Sequence, residues 1–107
     1  MNNLDILKQA GAFDKEMRAV DLAGYADKYA GQTLQCWVNP PALLEEYLDE
    51  DEVNSVDVAR RRKAVSILFE LPLEHVSALD DQLMLWLFVR GTELYRDYHD
   101  ELLKKTD

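Results

Sequence analysis

The side chains of this sequence that could carry catalysis or bind a metal are few and widely spaced. The two histidines, His75 and His99, stand next to carboxylates, and the single cysteine is Cys36. A zinc site needs three or four converging ligands, which usually include a closely spaced pair. No such spacing occurs here, and Cys36 lacks the second cysteine of a Cys-x-x-Cys motif. The sequence therefore predicts surface histidines and a structural thiol, with no metal or other cofactor.

Motifs for a nucleophile or a bound phosphate are also missing from the sequence. No serine lies in a Gly-x-Ser-x-Gly turn, and the four glycines are scattered along the chain. A phosphate-binding loop would need those glycines close together. We therefore expect a protein that is not an enzyme.

The charge of the chain is strongly negative, at −9, because 21 acidic residues stand against 12 basic ones. Nucleic-acid phosphates and anionic membranes both attract basic surfaces, so neither is expected as a partner. Hydrophobic residues make up 48% of the chain, which is too many for a disordered acidic tail. One cysteine, no signal-peptide pattern and no apolar run of bilayer length predict a cytoplasmic protein.

Two short segments rich in β-forming residues predict a β-pair near the N-terminus. Residues 17–22 and 33–38 would pair as antiparallel strands, with Trp37 placed against the helical core. The alternative is a helix over residues 19–29, where apolar side chains recur at near-helical spacing.

Helical periodicity dominates the remainder of the chain. Asn39 followed by two prolines is typical of a helix N-cap, and a helix is expected from there to the acidic residues at 49–52. A second helix is expected from Ser55 to about Glu70, where Pro72 would end it. The last helix is expected from about Ala78 toward Lys104, with a capping-box pattern at residues 77–80.

Together these elements predict an α+β fold that is mostly α. A short N-terminal β-pair would be followed by about three helices. We expect a single domain over residues 1–107, with a β-pair region at 1–38 and a helical body at 39–107.

Two charged clusters lie in the predicted helical body. The acidic run over residues 45–52 is either a solvated helix end or a negative patch for a basic partner. The basic block Arg60–Lys63 is interpreted as internal charge balance, in which each ion pair is weak.

The hydrophobic excess of the last helix is the strongest feature of the sequence, because residues 83–89 are all apolar. Either this helix is the central buried one, or part of its apolar stripe remains available to a partner. For the second alternative, the candidate partner-binding residues are Met84, Phe88, Tyr95 and Tyr98. Methionine adapts to irregular surfaces, and aromatic rings supply a large contact area. The oligomeric state stays open, with a homo-oligomer formed through this surface as one alternative.

One stretch of the chain resembles the tail assembly chaperones of long-tailed, siphovirus-type bacteriophages. The resemblance rests on Ala-Val-Asp-Leu at residues 19–22, a loop with tyrosines and glycines, and Trp-Val-Asn-Pro-Pro at residues 37–41. Two leucines at 43–44 follow, and the resemblance covers mainly residues 19–48. In that family a similar β-pair leads through an Asn-Pro-Pro-like turn into a helical body.

The resemblance implies a non-enzymatic protein that binds the tape measure protein and keeps it soluble. It also implies that the protein helps to recruit tail-tube subunits, in the cytoplasm of the infected or lysogenic bacterial host. A different interpretation, from the charge alone, is an acidic phage-encoded inhibitor that occupies a basic surface of a host protein.

Overall fold

The computed structural model of the chain describes residues 2–40 and 58–105. These residues form four α-helices and one two-stranded antiparallel sheet. In chain order the elements are α1 (Asn3–Gln9), β1 (Met17–Asp21), β2 (Thr33–Trp37), α2 (Val58–Leu68), α3 (Leu73–Ser77) and α4 (Asp81–Lys105). The predicted fold class, mostly α with an N-terminal β-pair, is confirmed. The helix predicted after Asn39 and the acidic run at 45–52 lie outside the described residues.

The β-pair forms between the two segments that the sequence indicated. Its register places Met17 opposite Trp37 and Asp21 opposite Thr33. The alternative of a helix over residues 19–29 is wrong, because this stretch contains most of strand β1 and then two short 3₁₀ turns. Side chains alternate between the two faces of a strand, so β1 and β2 each present one face to the helices.

Trp37 lies on the outer face of the sheet, and its predicted position against the helical core is wrong. Its neighbours Cys36 and Val38 are both fully buried. Since successive side chains of a strand point to opposite faces, Trp37 between them points away from the helices. There it is half-buried, and the Nζ atom of Lys15 lies 4.5 Å from the centre of its ring.

Helix α2 ends before Pro72, by a change in backbone conformation. The N–H of Leu71 donates a hydrogen bond to the carbonyl oxygen of Ser66 at 3.0 Å. The N–H of Glu70 donates a second one to the carbonyl oxygen of Ile67 at 3.4 Å. This pair of bonds is the Schellman motif, which needs a left-handed residue just beyond the helix. Glu70 takes that role with φ of 51°. Pro72 instead precedes α3, a short helix that the sequence analysis did not predict.

Helix α4 begins at Asp81, three residues later than expected. The Oδ1 atom of Asp80 accepts a hydrogen bond from the N–H of Gln82 at 2.7 Å, as a capping side chain does. The predicted capping box at residues 77–80 is therefore wrong for Ser77, which belongs to α3, whereas Asp80 caps α4.

The core lies between α2, α4 and the inner face of the sheet, with α4 as the central helix. Ala64, Val65 and Leu68 of α2 are buried in it, together with Phe69 directly after the helix. Gly91 of α4 permits this close packing: a Cβ atom there would lie 3.0 Å from Cδ1 of Leu68 and 3.1 Å from Cε2 of Phe69. Val20 of β1, Cys36 of β2 and Val38 directly after β2 belong to the same core.

Candidate functional site

The four residues proposed from the sequence as a partner surface do not form an open face. Met84, Phe88 and Tyr95 are only 3%, 7% and 6% exposed and belong to the core. Tyr98 is half-buried, and the guanidinium carbon of Arg18 lies 5.9 Å from the centre of its ring. Side chains at this depth stabilise the fold, so a surface for a partner has to be sought on the other faces of α4.

The outward face of α4 carries apolar side chains of its own. Leu85 and Val89 are 42% and 45% exposed. Each follows a core residue, Met84 or Phe88, and therefore lies about 100° further around the helix. The sequence does not reveal this difference, because all residues at 83–89 are apolar and the pattern therefore does not indicate which side of the helix faces the core.

A groove of about 410 Å³ separates the beginning of α2 from the beginning of α4. This volume falls within the usual range of binding pockets, about 300–1,000 Å³. Val58 and Leu85 form exposed apolar walls and the buried Met84 lines the groove between them. Of the four predicted site residues, Met84 lines this groove.

The polar lining of this groove comes from two arginines and one aspartate. Arg62 of α2 and Asp81 of α4 approach each other across the groove, with Nη2 and Oδ1 3.7 Å apart. Asp81 is largely exposed, so this ion pair contributes little to stability. Arg61 lines the groove beside them. Its Nε atom is buried and has no hydrogen-bond partner in the part of the chain that the structure describes.

The spacing of Arg61 distinguishes it from its basic neighbours. It precedes Ala64, Val65 and Leu68 by three, four and seven residues, and these three side chains are buried. Residues at those spacings share one face of a helix. Among the described residues, the charge-balance interpretation of the basic block therefore holds for Arg62, whose partner is Asp81, and finds no such partner for Arg61.

A second apolar surface lies at the N-terminus. Helix α1 buries none of its residues, and Leu4, Ile6 and Leu7 are about half exposed. Phe13 is 63% exposed and lines a cavity of about 270 Å³ together with Lys15, Trp37 and Asn39. Two polar side chains of this cavity are engaged within the fold, since Lys15 pairs with Glu70 and Asn39 bonds to residues 14, 16 and 37. We therefore place the candidate site in the groove between α2 and α4.

The histidines and the cysteine lie apart from the groove. His75 is exposed on α3, and the ring of His99 packs on that of Tyr95 at 4.2 Å. Within residues 2–40 and 58–105, no group of three His, Cys, Asp or Glu side chains could hold a metal ion. Cys36 is fully buried, and burial raises the pKa of its thiol to about 12. A thiol with that pKa is a poor nucleophile, because the reactive species is the thiolate.

Comparisons with known proteins add nothing to this geometry: no family model, curated protein or solved structure matches the chain. In the described part of the chain, no helix is both long enough and apolar enough to cross a lipid bilayer.

Proposed function

We propose that this chain is a non-enzymatic chaperone of phage tail assembly. It binds the tape measure protein, keeps that protein soluble and helps to recruit tail-tube subunits. The observation that carries the proposal is the groove between α2 and α4, whose apolar walls are exposed. The resemblance of residues 19–48 to tail assembly chaperones supplies the identity of the client.

A helical client suits this groove for a physical reason. Val58, Leu85 and Val89 leave apolar surface in water on two adjacent helices, and burying such surface stabilises a complex by about 25 cal/mol per Å². An amphipathic helix presents apolar anchors at three- and four-residue spacing, which is how helices generally bind in grooves. The tape measure protein is a long apolar chain of coiled-coil character in the family that this chain resembles, and it offers such anchors repeatedly.

The proposal is tested by co-expression with the tape measure protein of the same phage. Leu85→Gln combined with Val89→Gln removes the Leu85 wall of the groove and the exposed valine one turn further along α4, and it keeps a good helix former at both positions. We expect the variant to melt within a few degrees of the wild type and to recover about tenfold less soluble tape measure protein. Undiminished recovery by a folded variant would refute the proposal.

Leu102→Gln provides the matched control. Leu102 is 41% exposed on the same helix, nearly the same as Leu85 at 42%. It lies about 25 Å further along α4, since each residue adds 1.5 Å. We expect this variant to recover the tape measure protein as the wild type does. A Phe88→Ser variant should instead lose its folded structure, because truncation of a buried aromatic ring costs about 3–5 kcal/mol.

The alternative, an acidic inhibitor of a host protein, predicts a different outcome. Its contacts would be charged and exposed, so binding would weaken steeply with salt. The Leu85 and Val89 substitutions would then leave binding unchanged, whereas Ser at Glu50, Asp51 and Glu52 would abolish it.

A further inference from the structure

The guanidinium of Arg61 is the least satisfied polar group of the candidate groove. Its Nε atom is out of contact with solvent and has no acceptor among the described residues. Arginine remains protonated in proteins and carries five N–H donors and no acceptor. A buried donor without an acceptor disfavours the state in which it occurs. Because Nε is out of contact with solvent, an acceptor in the groove reaches it only when the Arg61 side chain, which already lines the groove, turns toward the ligand.

The described residues that line the groove around Arg61 carry more positive than negative charge. Arg61 and Arg62 contribute two guanidinium groups, and Asp81 is the single carboxylate among the lining residues that the structure describes. That carboxylate lies 3.7 Å from Arg62. Among the described lining residues one positive charge thus has no counter-charge, in a chain whose net charge is −9.

The apolar walls restrict what could neutralise this charge. Val58 and Leu85 stand exposed on the two helices that form the groove. A small free anion would leave these walls in water, and a nucleic acid would be repelled by the negative charge of the whole molecule. In a peptide segment with one carboxylate among apolar side chains, the carboxylate neutralises the positive charge and the apolar side chains cover the walls.

We infer that the groove selects helical client segments in which a glutamate or aspartate stands next to an apolar anchor, and that Arg61 donates hydrogen bonds to that carboxylate. The inference rests on the proposed function and specifies which part of a client is recognised. Arginine suits this role because its planar fork matches the two oxygens of a carboxylate. The apolar anchor contacts Leu85 and Val58 in the same complex.

Two synthetic helical peptides test the inference. Both carry leucines at positions i, i+4 and i+7, and they differ in a single residue beside the central leucine, Glu in one and Gln in the other. Fluorescence anisotropy measures their affinity for the full chain. We expect the Glu peptide to bind about tenfold more tightly, as is typical of a hydrogen bond to a charged group. Arg61→Gln should abolish that preference.

Lys63→Gln is the matched control, because it removes one positive charge from the exposed side of α2 without touching the groove. It should keep the tenfold preference. Equal affinities of the two peptides for the wild type, or no binding of either, overturn the inference. The recovery experiment with Leu85 and Val89 then decides separately on the proposed function.

Two further outcomes would assign the groove to another occupant. If sodium acetate displaces the Glu peptide at the peptide's own concentration, the site binds free anions and the inference fails. If replacing Glu50, Asp51 and Glu52 by Ser tightens the binding of both peptides, the chain's own acidic run competes for the groove. That result would also overturn the assignment to a client.

Discussion

The indole N–H of Trp37 donates a hydrogen bond of 2.8 Å to the side-chain oxygen of Asn39, two residues further along the chain. The same oxygen accepts the backbone N–H of Glu16 at 2.7 Å, and the side-chain amide of Asn39 donates to the carbonyl oxygen of Asp14 at 2.9 Å. Asn39 thus joins the chain before β1 to the chain after β2. It holds the open end of a two-stranded sheet, which is marginally stable without such support.

Replacement of Asn39 by Ala should lower the free energy of unfolding by about 1–3 kcal/mol, because three hydrogen bonds of about 1 kcal/mol each are lost at a partly exposed site. Urea unfolding followed by circular dichroism measures the change. Gln35→Ala, at an exposed position of β2, is the control and should stay within about 0.5 kcal/mol of the wild type. Equal effects of the two substitutions would contradict the bracing role of Asn39.

Glu70 occupies a backbone position that favours glycine, since its φ is 51°. A Cβ atom in the left-handed region costs about 1–2 kcal/mol, part of which is offset by the greater freedom of glycine in the unfolded chain. We therefore expect the Glu70→Gly variant to be about 1 kcal/mol more stable than Glu70→Ala. Both variants lose the exposed ion pair with Lys15, so their difference isolates the backbone effect.

Glu74 supplies the comparison for this prediction, because it lies in the first turn of α3. There Gly should be less stable than Ala, by up to about 1 kcal/mol. If the Gly variant is less stable than the Ala variant at both positions, the backbone at Glu70 is not strained. Thermal and urea unfolding of the four variants measure the two differences.

The buried thiol of Cys36 should make the stability depend on pH in the alkaline range. Its pKa is raised by burial from 9.0 to about 12, so the unfolded chain loses this proton at a lower pH than the folded one. The stabilisation is complete below pH 9 and is lost as the pH rises from 9 to 12, by up to about 1.4 kcal/mol per pH unit.

Cys36→Ala removes this titration and leaves all others in place. The stability difference between wild type and variant should therefore shrink as the pH is raised from 8 to 10.5 in a series of urea titrations. In the wild type, the folded thiol should react with iodoacetamide far more slowly than the unfolded thiol at pH 8. A constant stability difference over that pH range would mean that the thiol ionises equally in both states.

Gly91 should tolerate Ala but not Leu. A Cβ atom at Gly91 would lie 3.0 Å from Leu68 and 3.1 Å from Phe69, so small shifts of these side chains are needed. For Ala, a gain of about 1 kcal/mol in helix propensity offsets that cost. Leu adds three more carbon atoms to a filled core and should destabilise the protein by about 1–3 kcal/mol or more. Urea unfolding compares the variants, and equal stability of Ala and Leu would refute the close packing.

The elements themselves could be predicted from local patterns in the sequence. The β-forming residues at 17–22 and 33–38 predicted both strands, and apolar periodicity predicted α2 and α4 to within a few residues of their observed ends in the described chain. Errors arose where local signals are weak. Helix α3 has only five residues, too few for a periodic pattern, and α2 ends at a left-handed glutamate where glycine is the usual signal.

The sequence by itself determined the segments that form strands and helices, the negative charge and the apolar excess of the last helix. Only the tertiary structure decided which face of that helix is buried. In the run at 83–89 every position is apolar, so the phase is set by contact with α2 and the sheet, which bury Met84 and Phe88 and leave Leu85 and Val89 outside. The groove has the same origin, because its two walls belong to helices that are distant along the chain and meet only by packing.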